Sequence, residues 1–332
     1  DYAVSDGNGG TAVAHVTIDL ECVNDAPVGV ADAGMVEQGS GPADYDVLDN
    51  DTDAEDDELS LVDVSVSGAQ GTASVTAGDE VRFTPNPSFN GQAVITYTLT
   101  DGDLEAEGTL TVTVGPDVDA PVVATPTVAF GVGRVNQTAP LKTSWSAFDA
   151  GVGVASYDVQ VSIAGAAFKP VYSGPATSFT KLYPFKKALV WRVRATDGEG
   201  NTSAWKHSAR RKIVPFQEHH RKVKYTGAWA HVVTKAASGR GYEFSTDAGD
   251  KAKAKFKGRS VLYVAPRTRL SGWVKVYVDG ALIGRYKLKH GTVVQGKIVA
   301  RFSWATNGKH KIRIVNDRDG KQTNMDAFIV LK

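Results

Sequence analysis

Cysteine, methionine and long apolar runs are almost missing from this sequence. A single cysteine among 332 residues excludes an intrachain disulfide framework. No run of about 18 apolar residues occurs, which excludes a membrane-spanning helix. Apolar residues do not keep a helical period but recur at every second position, which indicates β-strands. With 42% hydrophobic residues, the chain can form two to four domains with buried cores.

Basic residues are nearly missing from the first third of the chain. Residues 1–117 carry 24 acidic side chains and one basic side chain, a net charge of −23. Residues 118–220 carry a net charge of +6, and residues 221–332 carry +17. The net charge of zero for the whole chain therefore hides two oppositely charged ends. Because the acidic end repels itself, bound cations would stabilise it.

The sequence repeats itself at a spacing of 94 to 95 residues. Residues 2–28, beginning YAVSDGNGG, resemble residues 97–122, beginning YTLTDGDLE. A two-stranded hairpin alone is marginally stable in water. We therefore expect residues 1–23 to be the last two strands of an incomplete repeat, and the chain to be the C-terminal part of a longer protein.

Short joints that contain proline divide the rest of the chain, since proline restricts its own backbone and that of the residue before it. The joints NDAP (24–27) and VDAP (118–121) predict one domain at 24–117 and a second at 118–216. A third domain is predicted at 221–332. The sequence therefore predicts an all-β fold of Ig-like β-sandwiches in series, ending in a jelly-roll sandwich.

Alternation also predicts which side chains are buried. The inward-facing residues are expected to include Ile95, Tyr97, Leu99, Ala254, Phe256, Val274, Val276 and Val278. Trp145 and Trp191 fit core positions of the middle domain. Cys22 is expected to be a small core residue that continues an inward set formed by Val16, Ile18 and Leu20. Asp279 and Gly280 predict a tight hairpin turn.

Six carboxylates crowd the eight positions from Asp51 to Glu58, in the segment LDNDTDAEDDELSL. Two like charges about 5 Å apart repel by about 0.8 kcal/mol in water. Ca²⁺ takes about six to eight oxygen ligands and tolerates irregular geometry, and Asp51, Asp53 and Asp57 have the spacing to surround one ion. The alternative is a solvated acidic loop that keeps an edge strand from pairing.

Lysine alternates with core residues in KAKAKFKG (251–258) and RYKLKH (285–290). Exposed aromatic rings beside cations are typical of sites for sugars and anionic polymers. The outward-facing candidates for ligand contacts are Lys253, Lys255, Trp273, Lys275, Tyr277 and Lys287. Two alternatives stay open: an ordinary solvated lysine face, and the less favoured nucleic-acid groove with base stacking.

No set of nucleophile, base and orienting residue is visible in the sequence, so we expect no enzyme activity. His219 and His220 are adjacent in a polar linker. Adjacent side chains of a strand point to opposite faces, which argues against a metal ion shared by the two. Asp197 and Glu199 are expected to be turn residues rather than an acid–base pair.

Several segments resemble known families. NDAPV, VLDNDTDAEDDEL, FTPNPSFNG and YTLTDGD, over residues 1–117, together resemble the bacterial cadherin-like repeats of large surface adhesins. SYDVQVS and WRVRATDGEGNTSAW, within residues 118–214, are similar to fibronectin type III or related Ig-like modules of secreted bacterial proteins. GAWAHVVTKAASGRGYEFSTDAGD, VYVDG and MDAFIVL resemble the carbohydrate-binding-like jelly rolls that often end such proteins.

The cadherin-like resemblance implies calcium as a cofactor. In that family, aspartates of the joints and a glutamate near the first strand complete the calcium sites, and the matching positions here are Asp25 and Glu37. Asp101 and Asp103 lie in an Asp-Gly turn that resembles a further ligand loop.

These patterns together predict the non-catalytic C-terminal part of a secreted or surface-attached bacterial protein. A calcium-rigidified stalk would present, outside the cell, a basic jelly roll that binds a glycan or an anionic surface polymer in cell adhesion. In one alternative, acidic and basic ends dock head to tail, and the chain self-associates into a fibre or layer. In another, the chain is the binding appendage of a large secreted enzyme.

Overall fold

Strands and turns make up the described part of the chain, residues 1–21 and 23–332, in the computed structural model. These residues contain no helix, and hence no helix that could cross a bilayer. The predicted all-β class is confirmed. Cys22, predicted as a core residue, lies outside the described residues. The chain divides into two compact units, Asp1–Asp117 and Val118–Lys332.

The strands of the first unit are β1 (Tyr2–Ser5), β2 (Thr11–Ala14), β3 (Asp32–Glu37), β4 (Ala43–Tyr45), β5 (Ser60–Val66), β6 (Gly71–Val75), β7 (Val81–Pro85), β8 (Gly91–Thr100) and β9 (Glu105–Gly115). β1 and β2 form a separate antiparallel hairpin. Asp6 closes its turn by accepting the backbone N–H groups of Asn8 and Gly10, each at 2.9 Å. The set predicted to face inward after β2, formed by Val16, Ile18 and Leu20, is exposed. That prediction is wrong because β2 already ends at Ala14.

Two sheets enclose the core of the first unit, in the orders β3-β9-β8-β5 and β4-β7-β6. β3 runs parallel to β9, and the other pairs are antiparallel. The core residues include Val47, Val81, Phe83, Ile95, Tyr97, Leu99, Leu110 and Val112. In β8 the inward positions are buried and the threonines between them are half-buried. The predicted alternation of this strand is confirmed.

The strands of the second unit are β10 (Val122–Val123), β11 (Thr127–Phe130), β12 (Thr138–Ser144), β13 (Ala147–Phe148), β14 (Val154–Ile163), β15 (Lys169–Gly174), β16 (Ser178–Pro184), β17 (Ala188–Asp197), β18 (Lys206–His207), β19 (Arg211–Gln217), β20 (Val223–Thr226), β21 (Ala230–Val233), β22 (Gly241–Ser245), β23 (Lys251–Arg267), β24 (Trp273–Val278), β25 (Ala281–Lys287), β26 (Val294–Asn316), β27 (Thr323–Met325) and β28 (Ala327–Leu331).

One long sheet runs through this unit in the order β15-β14-β17-β19-β28-β23-β26-β24-β25, with β18 on β17 and β20 on β23. Smaller sheets have the orders β11-β12-β16, β10-β13 and β21-β22-β27. Trp145 and Trp191 are core residues, as predicted. The Trp191 indole N–H donates to the Tyr183 hydroxyl at 3.0 Å, which satisfies this buried polar group.

The strand β28 and residues 260–265 of β23 form a wall shared by two cores. Ala327, Ile329 and Leu331 face one core together with Leu262 and Val264. Phe328 and Val330 face the other core together with Val261, Tyr263 and Ala265. A strand covered on both faces is expected to be an uninterrupted apolar run, which the sequence AFIVL of β28 is. The shared wall therefore joins the two parts of the unit into one packed body.

Backbone contacts strengthen the same junction. The Val135 N–H donates to the Gly296 carbonyl at 2.8 Å, and the Arg301 guanidinium donates to the Gly131 carbonyl at 2.7 Å. Gly296 has a φ of 62°, and a Cβ at this position would lie 2.0 Å from the Val135 carbonyl oxygen. This close approach requires glycine.

The strands that carry the candidate ligand residues follow the predicted alternation. Their buried residues are Ala254, Phe256, Val274, Val276 and Val278, as predicted. Asp279 and Gly280, with φ values of 51° and 96°, form the predicted tight turn between β24 and β25.

We expect Ile329→Ala to destabilise residues 118–332 as one cooperative body by about 2–5 kcal/mol, because it opens a cavity in the shared wall. Denaturant unfolding, followed by tryptophan fluorescence and by backbone hydrogen exchange, should show one transition at a lowered midpoint. Leu182→Ala, at an exposed position of β16, is the control and should change the midpoint little. Two separate transitions, with only one shifted, would contradict the shared wall.

Candidate functional sites

The acidic loop, residues 48–59, is joined to the segment 24–28 by backbone hydrogen bonds. The Val28 N–H donates to the Thr52 carbonyl at 2.7 Å, and the Thr52 N–H donates back to Val28 at 3.2 Å. The Asp25 N–H donates to the Glu55 carboxylate at 3.2 Å. The loop therefore lies against the predicted joint, with Asp25 at its side.

Two carboxylates meet at the Tyr97 hydroxyl. This oxygen lies 2.9 Å from an Asp32 carboxylate oxygen and 3.1 Å from one of Asp51. A hydroxyl has one hydrogen, so it can donate fully to only one of them at a time. Burial raises the pKa of Asp32, the Tyr97 hydrogen bond opposes this shift, and the nearby charge of Asp51 adds to it. A cation would relieve the repulsion at this point.

Asp53 organises the turn of the acidic loop. One of its oxygens accepts the backbone N–H groups of Glu55 at 2.9 Å and Asp57 at 3.2 Å. Its other oxygen is buried and has no hydrogen-bond partner among the described residues. A buried carboxylate oxygen without a partner is costly. An oxygen of this kind has the chemistry of a cation ligand.

Asp101 connects the turn after β8 to the segment before β3. One of its oxygens accepts the N–H groups of Asp103 at 2.7 Å and Leu104 at 2.8 Å, and the other accepts the Asn24 amide at 2.9 Å. These hydrogen bonds, first those of the backbone, lower the pKa of Asp101. Asp103 is exposed in the same turn. Asp101 therefore stabilises the turn after β8 and ties it to Asn24.

Glu37 is the one predicted calcium ligand that the structure places apart. It lies at the far end of β3 from Asp32, about 17 Å away at the rise of an extended strand. Asp32 takes the place next to Asp51 instead. Sequence reasoning missed Asp32, because its partners Tyr97 and Asp51 are distant along the chain. Glu55 belongs to the crowded segment 51–58, but its contact with Asp25 was not predicted.

All six candidate ligand residues lie on one face of the long sheet, which we call the basic face. In this sheet Lys253 is opposite Arg313, and Arg313 is opposite Tyr277. The cationic side chains of β20, β23, β24, β25 and β26 on this face are Lys224, Lys251, Lys253, Lys255, Lys257, Lys275, Arg285, Lys287, Lys309, Lys311 and Arg313. The opposite face packs on the core through Ala252, Ala254, Val276 and Ile314.

A cleft of about 510 Å³ opens on the basic face. Its lining residues are Arg221, Lys222, Lys224, Lys253, Ala254, Lys255 and Lys311. No ion pair among the described residues involves any of these cations. The cleft is therefore a concentration of positive charge that the chain itself does not neutralise.

The aromatic residues of the basic face are covered by cations. The Arg285 guanidinium lies 5.0 Å from the Trp273 ring centre, and that of Arg313 lies 4.1 Å from the Tyr277 ring centre. Lys275 and Arg285 both pair with Asp317, Lys275 at 2.8 Å. Burial would raise the pKa of Asp317, but these hydrogen bonds outweigh burial and lower it. The cations at this end of the face thus contact Asp317 and the aromatic rings, whereas the cations of the cleft have no acidic partner within the described part of the chain.

Residues 24–116 match the family model of the bacterial cadherin-like domain. This match confirms the cadherin-like resemblance for the first complete repeat. A comparison with curated proteins finds no significant match.

Solved structures resemble parts of the chain. A family 35 carbohydrate-binding module from Clostridium thermocellum is 16% identical with a TM-score of 0.28, over 35% of this chain and 97% of the module. The fibronectin(III)-like modules of CbhA from the same organism are 13% identical with a TM-score of 0.20, over 54% of this chain and 88% of theirs. A family two carbohydrate esterase from Cellvibrio japonicus is 10% identical with a TM-score of 0.27, over 36% of this chain. The chain spans only 34% of that esterase, and none of these scores carries an argument about activity.

Proposed function

We propose that this chain is a non-catalytic, extracellular adhesion segment whose basic face binds an anionic polysaccharide. The open cleft lined by six cations is the observation that carries this proposal. Alternate residues of a strand lie about 6.6–6.8 Å apart and neighbouring strands about 4.8 Å apart. The lysines of β20, β23 and β26 therefore form a two-dimensional array that suits a polymer with repeated negative charges.

The covered aromatic rings favour an anionic ligand over a neutral sugar. A neutral sugar would stack on the faces of Trp273 or Tyr277, but guanidinium groups already occupy positions over these rings. Carboxylate or sulfate groups would instead pair with the lysines of the cleft. The cadherin-like repeat supports a place outside the cell, since such repeats resemble those of surface adhesins.

Calcium is part of the proposal. Asp51, Asp53 and Asp57 would hold the ion in the acidic loop, with Asp32 as an additional carboxylate beside Asp51. The partnerless oxygen of Asp53 supports this assignment. The ion would fix the loop against the segment 24–28 and offset the charge of −23 in residues 1–117. Asp25, Asp101 and Asp103 lie on the segments that adjoin the loop, whereas Glu37 is left out.

The first test concerns calcium. Chelation should speed amide hydrogen exchange in β8 and lower the stability of the first unit by about 2.7 kcal/mol relative to calcium at a hundredfold excess over Kd. Asp53→Asn should remove this calcium dependence, and Asp63→Asn, at an exposed position of β5, should keep it. Equal exchange rates in calcium and in chelator would exclude the site.

The second test concerns the basic face. Lys253→Glu combined with Lys255→Glu should weaken binding of the intact chain to polygalacturonate by at least tenfold, while dextran binds neither protein. The matched control reverses Lys169 and Lys181, which are exposed on β15 and β16. Trp273→Ala should have a smaller effect. A charge-reversed face that still binds polygalacturonate would contradict the proposal, and tighter binding of single-stranded DNA would favour a nucleic-acid groove instead.

A second candidate function is self-association, and the charge asymmetry favours it. Residues 1–117 carry −23 and residues 221–332 carry +17, so the acidic end of one molecule could dock on the basic face of another. Such assembly should appear in sedimentation of the purified chain without a ligand. It should weaken steeply towards 0.15 M salt, where the Debye length is about 8 Å. A monomer at both low and physiological salt would exclude assembly.

A further inference from the structure

Two histidines and a buried glutamate form a cluster away from the basic face. His231 in β21 lies directly opposite Glu243 in β22, and their Nδ1 and Oε1 atoms are 3.0 Å apart. The Nδ1 atom of His219, in the turn after β19, lies 3.7 Å from the same Glu243 oxygen. One ligand atom from each of the three residues lies within 4.8 Å of the others.

These separations suit a tetrahedral metal ion. Zinc binds histidine nitrogen and carboxylate oxygen at about 2.0–2.2 Å, which places neighbouring ligand atoms about 3.3–3.5 Å apart. The two distances from Glu243, 3.0 and 3.7 Å, bracket this value. Imidazole favours zinc and similar transition metals over calcium, so this donor set differs in kind from the acidic loop.

The exposure of the three side chains also suits a metal ion. The Glu243 side chain is 10% exposed, whereas the side chain of His219 is 67% exposed and that of His231 is 32% exposed. The carboxylate is thus fixed by the sheet, and the imidazoles face the solvent from which an ion would enter. Gly241 leaves room for the His231 ring, since a Cβ there would lie 2.4 Å from it.

A second buried carboxylate adjoins the cluster. Glu218 precedes His219, is 3% exposed, and has one oxygen with no hydrogen-bond partner among the described residues. A buried carboxylate oxygen without a partner is costly, and this one belongs to the residue directly before His219.

The adjacent histidine takes no part in the cluster. His220 packs on Phe216, with ring centres 4.7 Å apart. His219 and His220 therefore have different neighbours: the ring of His220 stacks on Phe216, whereas His219 lies near Glu243. The residues that join His219 in the cluster are His231 of β21 and Glu243 of β22.

We propose that His219, His231 and Glu243 bind a divalent transition-metal ion, with zinc as the probe, and that Glu218 supports the site. The ion would clamp the turn after β19 to the hairpin β21–β22. This site is independent of the acidic loop and of the polysaccharide proposal, since it uses neither their residues nor their ligands.

Calorimetric titration of the intact, chelator-treated chain with zinc chloride, in buffer containing excess calcium, tests the site. Excess calcium competes for sites made of carboxylates alone, and the histidine variants show which part of the remaining heat comes from this cluster. We expect one zinc per chain, and His219→Ala and His231→Ala should each weaken binding by at least tenfold. Cobalt in place of zinc should give the visible absorption of a four-coordinate ion, and Glu243→Gln should change that spectrum.

His220→Ala and His290→Ala are the matched controls, and both should bind zinc as the unchanged chain does. His219 is exposed, so its replacement should leave the near-UV circular dichroism of the metal-free chain unchanged. The proposal is overturned if the chain binds no zinc, if His219→Ala and His231→Ala bind it with unchanged affinity, or if the control variants lose it equally.

Discussion

The packing of β28 and the adjoining half of β23 against two cores at once is the constraint on which the second unit depends. Alternate residues of each strand enter different cores, so neither core can loosen without exposing apolar side chains of the other. This explains why the long sheet continues without a break through β19, which pairs with both β17 and β28. It also connects the wall to the basic face, because residues 260–265 of β23 belong to the wall and residues 251–257 of the same strand carry the lysines.

The two sides of a strand carry different kinds of side chain in this protein. The inward side chains are apolar and pack in the core, whereas the outward side chains contact solvent and can be charged. In β23 the outward positions from Lys251 to Lys257 are lysines. The loop after β4 has no such alternation, and six of the eight residues from Asp51 to Glu58 are carboxylates. The surroundings of the two sets differ. Asp32 and Asp51 meet at the buried Tyr97 hydroxyl, and Asp53 has an oxygen that is unpartnered among the described residues, while the lysines of the cleft remain in solvent. The first arrangement suits a small ion and the second suits an extended polymer.

The candidate metal-binding residues show what local spacing can and cannot reveal. Asp51, Asp53 and Asp57 are close in sequence, and a loop that curls back on itself keeps them close in space. Asp32 carries no local signal, because Tyr97 and Asp51 lie in other elements of the unit, and His231 meets Glu243 only through the register of β21 with β22. The family resemblance indicates Glu37 as a ligand, whereas β3 places it about 17 Å from Asp32, at the other end of the strand.

The sequence by itself determined the all-β class, the alternation of β8, β23 and β24, the tight turn at Asp279 and Gly280, and the outward direction of the basic residues. It could do so because a strand has a period of two and these properties are local. Only the tertiary structure decided that two cores share one wall, that guanidinium groups cover the aromatic rings, and that His219 meets His231 and Glu243. These depend on which strands pair and in what register, and pairing is set by the burial of the whole unit rather than by any short segment.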